Sequence, residues 1–483
     1  MLYSFVLLFF LSPDSYLYDL HFHGDSACFF MCGKAWMCGL VPYVDFTDSK
    51  GPLLWLIYGV GYLISHHSYI GVFWISILFY TVTLFAAYKL CRLFADKDAS
   101  VVSVAALPFF LFCCLIHDEI RSEDFCYPFI MLALYCTCRI LKYRDSDART
   151  YLKLSALMGV CSMCCVLIKY NVGCMIMTLM AVVLYMAIRH KAGWKSFLGM
   201  VIGFVLPAVP FVICFLIYGN MGAFVQEYFL NTAATIENKN ESLVPHDKRI
   251  FVLCSLLPFV WWFSKKYKIG YWLCVCLICF FIGMGTDAHH YYNAITMPFA
   301  VLLLIVLIET ITCKMSKKHI HIMPLCLIIG IVSISFNILR IANAYNKWNN
   351  ESIYKAAYVM SQIKNPKIMD NFTIGVPVNA LPACKYAIGQ VGATKEMTEE
   401  RERDFKRGVA DFVFVYNPDE NEKRIKEVES LGYVFYCKTT AYVNINCQQK
   451  EVSLFGRPGL KLPPEDFHVS QWDVWLKRNI FGI

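Results

Sequence analysis

Long apolar runs recur along the chain up to residue 339, and they limit its fold more than any other feature. A helix needs about 20 mostly apolar residues to cross a bilayer. Residues 1–12 predict the end of a first helix, and 52–64 predict an interfacial or re-entrant helix. We therefore predict a polytopic α-helical membrane protein with about 11 transmembrane helices. The full runs lie at 69–91, 99–116, 125–141, 152–168, 172–188, 197–218, 250–263, 270–285, 293–311 and 320–338.

Basic residues divide unevenly between the two sides of this predicted topology, and cytoplasmic loops are enriched in Lys and Arg. One side carries Lys89, Arg92, Lys97, Arg139, Lys142, Arg144, Arg149, Lys153, Arg189, Lys191, Lys195, Lys265, Lys266, Lys268, Lys314, Lys317 and Lys318. The other side, up to residue 339, carries only Lys34, Lys50, Arg121, Lys169, Lys239, Lys248 and Arg249. The richer side is predicted to be cytoplasmic. The first loop, 13–51, and the chain after 339 then face outward.

The net charge of +8 does not indicate a nucleic-acid partner. The basic residues stand in short clusters between apolar runs, which is typical of loops that set topology rather than of a binding face. We therefore predict contact with membrane lipids and no contact with nucleic acid.

Residues 340–483 have a more polar composition and predict a small soluble α/β domain, next to a transmembrane domain at 1–339. Strand-like runs lie at 374–377, 411–416 and 433–438, with a polar helix at 420–431. Gly432 stands where a helix commonly ends with a glycine.

The chain has 23 cysteines, many of them inside apolar runs, where a free cysteine behaves as a small hydrophobic residue. The cysteines of the polar segments show no histidine spacing typical of zinc sites. We predict free thiols, no metal ligands and no cofactor, and leave a requirement for a divalent metal open.

Ionisable residues at a membrane edge are candidates for function, and here they gather on the outward side. Asp25 directly precedes an apolar helix at 26–38 that suits the interface plane. It is either a functional carboxylate or only the cap of that helix. Arg121, Glu123 and Asp124 form a charged cluster after a helix. They are either functional groups or only solvated loop charges. His289, His290 and Tyr292 lie at the start of another helix. They are either functional groups or part of an aromatic belt. Lys169 ends a helix, where its side chain could simply snorkel.

Together these groups suit the transfer of a group from a lipid phosphate. A carboxylate can act as general base on an acceptor hydroxyl, and cations can stabilise a phosphate leaving group. A lipid-linked donor would place such a site at the bilayer edge.

The first outward loop reads GDSACFFMCGKAWMCGLVPYVDFTDSKGPLLW and resembles the GT-C superfamily of polytopic glycosyltransferases. It is most similar to the protein mannosyltransferase and aminoarabinose transferase-like branch, glycosyltransferase family 39. That branch pairs an acid after the first helix with G-x-x-P-Y-x-D and a K-P/G-P-L segment. The matching residues are Asp25, Gly39, Pro42, Tyr43, Asp45, Lys50, Gly51, Pro52 and Leu53. Softer matches are Ser122–Phe125, Lys169, and His290–Tyr292 with Pro298.

The resemblance implies roles for these residues. Asp25 would be the catalytic base or would position the acceptor. Many members carry a second acid directly after the first, but Ser26 stands there in this chain, so Asp25 acts alone or Asp45 or Asp48 assists. The donor phosphate would be held by Lys50, Arg121, Lys169, Tyr292 and His290. Further candidates are Tyr43, Asp48, Glu123, Asp124 and His289.

The resemblance therefore implies an inverting hexosyl- or pentosyltransferase. It would move a sugar from a polyprenyl-phosphate donor to a lipid, glycan or protein acceptor, at the periplasmic face of a bacterial inner membrane. A transporter or flippase of a lipid-linked sugar is the alternative, although no internal repeat is visible. A third possibility is a non-catalytic assembly protein whose outward tail binds a partner.

Overall fold

The computed structural model of the chain describes residues 1–12, 15, 24–111, 121–143, 147–238, 247–283, 290–316, 350–370, 372–387, 393–416, 421–442 and 449–464, with isolated helical positions at 328, 331–332 and 335. Six helices within these residues are long and apolar enough to cross a membrane, judged by length and composition. They are Ile70–Phe94, Asp124–Lys142, Ala148–Ile168, Tyr170–Arg189, Gly193–Tyr218 and Ala294–Ile311. A mostly helical membrane fold is thus confirmed.

The helices of the membrane part follow the predicted runs closely. They are α1 Leu2–Leu11, α2 Gly24–Met37, α3 Pro52–Ile64, α4 Ile70–Phe94, α5 Lys97–Leu111, α6 Tyr127–Lys142, α7 Ala148–Ile168, α8 Tyr170–Arg189, α9 Gly193–Tyr218, α10 Met221–Phe224, α11 Thr232–Asn238, α12 Asp247–Lys266, α13 Trp272–Gly283 and α14 Ala300–Ser316. A π-helix, Val225–Asn231, joins α10 to α11, and a 3₁₀-helix, His290–Phe299, precedes α14. The predicted helix at 320–338 lies almost entirely outside the described residues.

Local sequence explains where several of these helices begin. Pro52 occupies the start of α3, where its missing N–H would have no helical partner, and Gly51 precedes it in an extended conformation. The Asp147 side chain accepts a hydrogen bond from Thr150 N and caps α7. Lys169 is extended and separates α7 from α8.

The C-terminal part contains a five-stranded sheet with the order β2-β1-β3-β5-β4. Its strands are β1 Lys367–Met369, β2 Leu381–Pro382, β3 Phe412–Tyr416, β4 Val434–Tyr442 and β5 Gln449–Gly456. β2, β1 and β3 are parallel, and β5 is antiparallel to both β3 and β4. Four helices accompany the sheet: α15 Asn350–Met360, α16 Phe372–Gly375, α17 Lys395–Lys406 and α18 Glu422–Ser430. The predicted α/β character is confirmed.

The prediction of a strand at 374–377 is wrong, because the short helix α16 ends at Gly375 and a turn follows it. β1 and β2 are parallel neighbours, so the chain must cross from the end of one to the start of the other. Turn hydrogen bonds from Asn379 N to Val376 O and from Ala380 N to Gly375 O shape that crossing. The strands at β3 and β4 and the helix α18 match their predictions, and Gly432 follows α18 with a φ of 83°.

The described chain divides into two compact units. The first comprises Met1–Leu7, Ser76–Ile213 and Glu241–Leu339, and the second comprises Leu8–Ile75, Cys214–Asn240 and Arg340–Ile483. The second unit therefore contains the first outward loop, the π-helix and the C-terminal sheet. Its sheet packs over a core that includes Phe405, Val413, Val428 and Phe455.

Candidate active site

The first outward loop contains α2, and Asp25 lies in the first turn of this helix. The side chain is half-buried, and no hydrogen bond to it occurs among the residues that the structure describes. The helix begins at Gly24, one residue before Asp25, so Asp25 belongs to the helix rather than standing before it. A carboxylate in a first turn is stabilised by the helix dipole and stays available to a ligand.

A tight turn follows α2 and uses the motif residues that Asp25 was grouped with. Tyr43 has a φ of 64°, and its N–H donates to Phe46 O at 2.8 Å. The Asp45 carboxylate accepts a hydrogen bond from Val41 N at 2.7 Å. The carboxylate of Asp45 thus stabilises the turn, and its predicted catalytic role stays a prediction. The Tyr43 hydroxyl, at the same turn, donates to Lys50 O at 3.3 Å.

Asp48 and Lys50 lie at the end of this loop in different surroundings. Asp48 is only 7% exposed, and its Oδ1 accepts from Ser49 N at 2.7 Å. Its Oδ2 is buried and has no hydrogen-bond partner within the described part of the chain. Lys50 Nζ donates to Ser49 Oγ at 3.1 Å and lies 5.3 Å from the centre of the Phe29 ring. A buried carboxylate oxygen without a partner is costly, which makes it a candidate for binding a ligand.

The pKa values of two thiols on α2 depend on burial and on nearby charged side chains. Burial raises the pKa of the Cys28 thiol well above its usual range, and the nearby carboxylates of Asp48 and Asp25 raise it further. Burial also raises the pKa of the Cys32 thiol, again with a contribution from Asp48. Lys50 opposes the shift at both thiols. Asp25 lies in the first turn of α2, and Lys50 Nζ approaches the Phe29 ring one turn later.

A second group of predicted residues lies in the first compact unit. Lys169 Nζ is 2.5 Å from Glu123 Oε1, with the two side chains 11% and 3% exposed. The hydroxyl of Ser122 donates to Glu123 Oε2 at 2.9 Å, and Arg121 N donates to Asp124 Oδ2 at 2.8 Å. These side chains hold one another in place by ion pairing and hydrogen bonds, so they are more than a solvated charge cluster. Their predicted contact with the donor phosphate stays a prediction.

The third predicted cluster is described only in part. His290 and Tyr292 lie in the 3₁₀-helix that precedes α14, but their side chains, like the whole of His289, are outside the described residues. Within the described residues, no group of three His, Cys, Asp or Glu side chains is arranged to hold a metal ion.

Sequence reasoning missed four residues of the second compact unit. Glu227 is 4% exposed on the π-helix and binds Lys385 and Tyr386 from the C-terminal part. Its one local signal is an isolated acid within an aromatic stretch, Phe224–Phe229. Lys34 was counted only as a loop charge, yet it is fully buried, and its amine donates to Ala380 O at 2.9 Å.

Residues 49–218 match the family described as dolichyl-phosphate-mannose-protein mannosyltransferase. Over this stretch the chain is similar to a family of glycosyltransferases. The matched stretch includes Lys50, Arg121, Glu123 and Lys169, whereas Asp25 and Asp45 precede it. The GT-C resemblance inferred from the first outward loop is thus confirmed.

The fold is similar to solved structures of ArnT from Cupriavidus metallidurans, at 11% sequence identity. The form bound to undecaprenyl phosphate gives a TM-score of 0.64, and 94% of this chain covers 97% of that one. The apo form gives a TM-score of 0.59, with coverage of 94% and 96%. A search of curated proteins found no match. At this identity, the likeness shows that the chain has an ArnT-like fold.

Proposed function

We propose that this protein is an inverting membrane glycosyltransferase. It moves a hexosyl or pentosyl group from a polyprenyl-phosphate donor to a lipid, glycan or protein acceptor. The reaction takes place on the periplasmic face of a bacterial inner membrane. The observation that carries the proposal is that Lys50 Nζ lies 5.3 Å from the centre of the Phe29 ring, one turn after Asp25 on α2, with the buried acid Asp48 in the same loop as Lys50. The GT-C fold and the ArnT structure with undecaprenyl phosphate support a donor of this class.

In the proposed reaction, Asp25 accepts the proton of the acceptor hydroxyl as that oxygen attacks the anomeric carbon. The bond between the anomeric carbon and the phosphate oxygen breaks, and the polyprenyl phosphate leaves with the bonding electron pair. Lys50 stabilises the charge on the leaving phosphate. Attack opposite the leaving group inverts the anomeric centre.

We assign the assisting acid to Asp48 in preference to Asp45. One carboxylate oxygen of Asp45 accepts a hydrogen bond from Val41 N, within its own turn. Asp48 presents a buried oxygen that has no partner in the described residues, and it stands two residues before Lys50 in the chain. Such an oxygen can accept a hydrogen bond from a donor sugar hydroxyl and help to orient the sugar. The alternative of a transporter or flippase has no observation in its favour.

The test is transfer in proteoliposomes with a panel of polyprenyl-phosphate sugars, followed by mass spectrometry of the products. Asp25→Asn should lower the transfer rate by at least about 100-fold, because it removes the general base. Binding of the donor should persist, because the phosphate contacts remain.

Asp98→Asn is the matched control, since Asp98 is an exposed acid in the first turn of α5. This variant should transfer at the wild-type rate. Transfer retained by Asp25→Asn would remove Asp25 from the base role. Movement of the intact lipid-linked sugar across the bilayer, with no new glycoside, would overturn the proposed function.

A further inference from the structure

Glu227 is a buried acid that the proposed reaction does not use. It stands on the π-helix Val225–Asn231, a wide helical turn of a kind frequently found at functional sites. Its Oε1 lies 2.6 Å from Lys385 Nζ and accepts a hydrogen bond from the Tyr386 hydroxyl at 2.9 Å. Its Oε2 accepts from Asn231 Nδ2 at 2.9 Å. A buried charge with three such partners is held in one geometry.

The backbone of Lys385 also reaches the first outward loop. Lys385 O accepts a hydrogen bond from Thr47 N at 3.0 Å. Thr47 directly precedes Asp48, and Lys50 follows within the same loop. The side chain of Lys385 is thus tied to Glu227 while its carbonyl is tied to the loop that carries Asp48 and Lys50.

A second tie joins this loop to the chain just before the π-helix. Asn220 Nδ2 donates to Pro42 O at 2.7 Å, and Asn220 is only 4% exposed. The loop 42–50 is therefore held near its start by Asn220 and near Thr47 by Lys385. Both ties lead to the stretch 220–231, which contains Glu227.

Further contacts secure the segment that contains Lys385 and Tyr386. The amine of Lys34 on α2 donates to Ala380 O at 2.9 Å. His67 Nδ1, between α3 and α4, lies 3.0 Å from Pro377 O. The stretch 377–386 is thus anchored at three separate places in the second compact unit, and these contacts fix the position of Lys385.

We infer that Glu227, Lys385 and Tyr386 are positioning residues that hold the loop 42–50, and through it Asp48 and Lys50, in the geometry that binds the donor phosphate. The inference rests on the proposed function. A displacement of a binding group by about 1 Å can cost about 100-fold in rate, so a loop of this kind needs support from outside itself. The C-terminal part of the chain thereby becomes a component of the donor site.

A positioning role differs from a merely structural one in which kinetic constant changes. If the three residues only stabilise the fold, their loss lowers the amount of active protein and leaves the donor KM unchanged. If they position the loop, Tyr386→Phe and Lys385→Met should raise the donor KM by about tenfold, because a charge-assisted contact is lost. The acceptor KM should stay the same, and Lys385→Arg should restore most of the donor KM.

The chain offers a matched control in its first compact unit. Tyr267 and Lys266 bind Glu309 there in the same Tyr–Glu–Lys arrangement. Tyr267→Phe should leave the donor KM at the wild-type value. Hydrogen–deuterium exchange gives a second measurement that needs no activity. Peptides that cover 42–50 should exchange faster in Tyr386→Phe and Lys385→Met than in the wild type or Tyr267→Phe.

An unchanged donor KM together with unchanged exchange of 42–50 in Tyr386→Phe and Lys385→Met would overturn the inference. Equal effects of Tyr386→Phe and Tyr267→Phe would do the same. Absence of transfer by the wild-type protein would instead contradict the proposed function. In that case, the exchange of 42–50 still decides whether the three residues hold the loop.

Discussion

Asp45 and Asp48 lie three residues apart in one loop, yet their side chains have different surroundings. Asp45 binds a backbone N–H of its own turn, whereas Asp48 is buried with one oxygen lacking a described partner. Both are acids near Lys50, so residue type and spacing could not separate them. The difference arises from the left-handed backbone at Tyr43, which closes the turn onto Asp45.

Lys34 shows how the surroundings of one side chain change its chemistry. It is fully buried, its amine donates to Ala380 O, and the Tyr62 ring lies 5.7 Å from that amine. Burial lowers the pKa of Lys34 from 10.5 to about 7. An amine with this pKa is partly neutral at physiological pH, which reduces the cost of burying it.

The lowered pKa of Lys34 predicts a pH dependence of stability. Between about pH 7 and about pH 10.5, the unfolded chain holds a proton on Lys34 that the folded chain has lost, so this residue increases stability as pH rises. Below about pH 7, both states are protonated and the contribution is constant. We expect the Tm of the wild type minus that of Lys34→Met to increase from pH 7 to pH 9.5, measured by intrinsic fluorescence in detergent.

Lys423→Met is the control for this measurement, since Lys423 is exposed on α18. Its Tm should follow that of the wild type across the same pH range. Parallel Tm curves for Lys34→Met and the wild type would show that Lys34 keeps an ordinary pKa in the folded protein.

Among the elements, α2 and α3 approach each other unusually closely. A Cβ atom at Gly33 would lie 2.4 Å from Gly59 N and 2.6 Å from Trp55 O, both backbone atoms of α3. The sequence 26–38 is apolar on most faces, which predicted a helix in the membrane interface. In the structure, α2 packs on α3, α16 and β2, and protein contacts explain why most of its faces are apolar.

Gly33→Ala should therefore destabilise the protein by about 2 kcal/mol or more, because the added methyl group forces two backbones apart. The expected result is a lower Tm and a lower transfer rate, since α2 carries Asp25. Thermal unfolding in detergent and the transfer assay measure the two effects.

Gly222→Ala provides the comparison, because nothing lies within 4 Å of the Cβ position at Gly222 on α10. Alanine is favoured over glycine within a helix, so this change should leave the Tm equal or slightly higher. A similar Tm for the two variants would contradict the close packing of α2 against α3.

At the scale of the whole molecule, the distribution of basic residues predicts the orientation in the membrane. Alkaline phosphatase is active only outside the cytoplasm. A fusion after Lys191, in a loop on the basic side, should therefore be inactive, and one after Ile483 should be active. Green fluorescent protein, which fluoresces in the cytoplasm, should give the opposite pattern at the two sites. Activity of the phosphatase after Lys191 would show that the orientation is reversed.

Local sequence determined the membrane helices, the strands β3 and β4, and the family motif of the first outward loop, because hydropathy, strand propensity and turn residues act over short stretches. Tertiary structure alone decided that Lys34 binds Ala380 and that Tyr386 binds Glu227, contacts that span 346 and 159 residues. No local pattern encodes such pairs, since they form only when distant segments are brought together. The same holds for Asp45 and Asp48, whose different surroundings depend on the folded loop and on what packs around it.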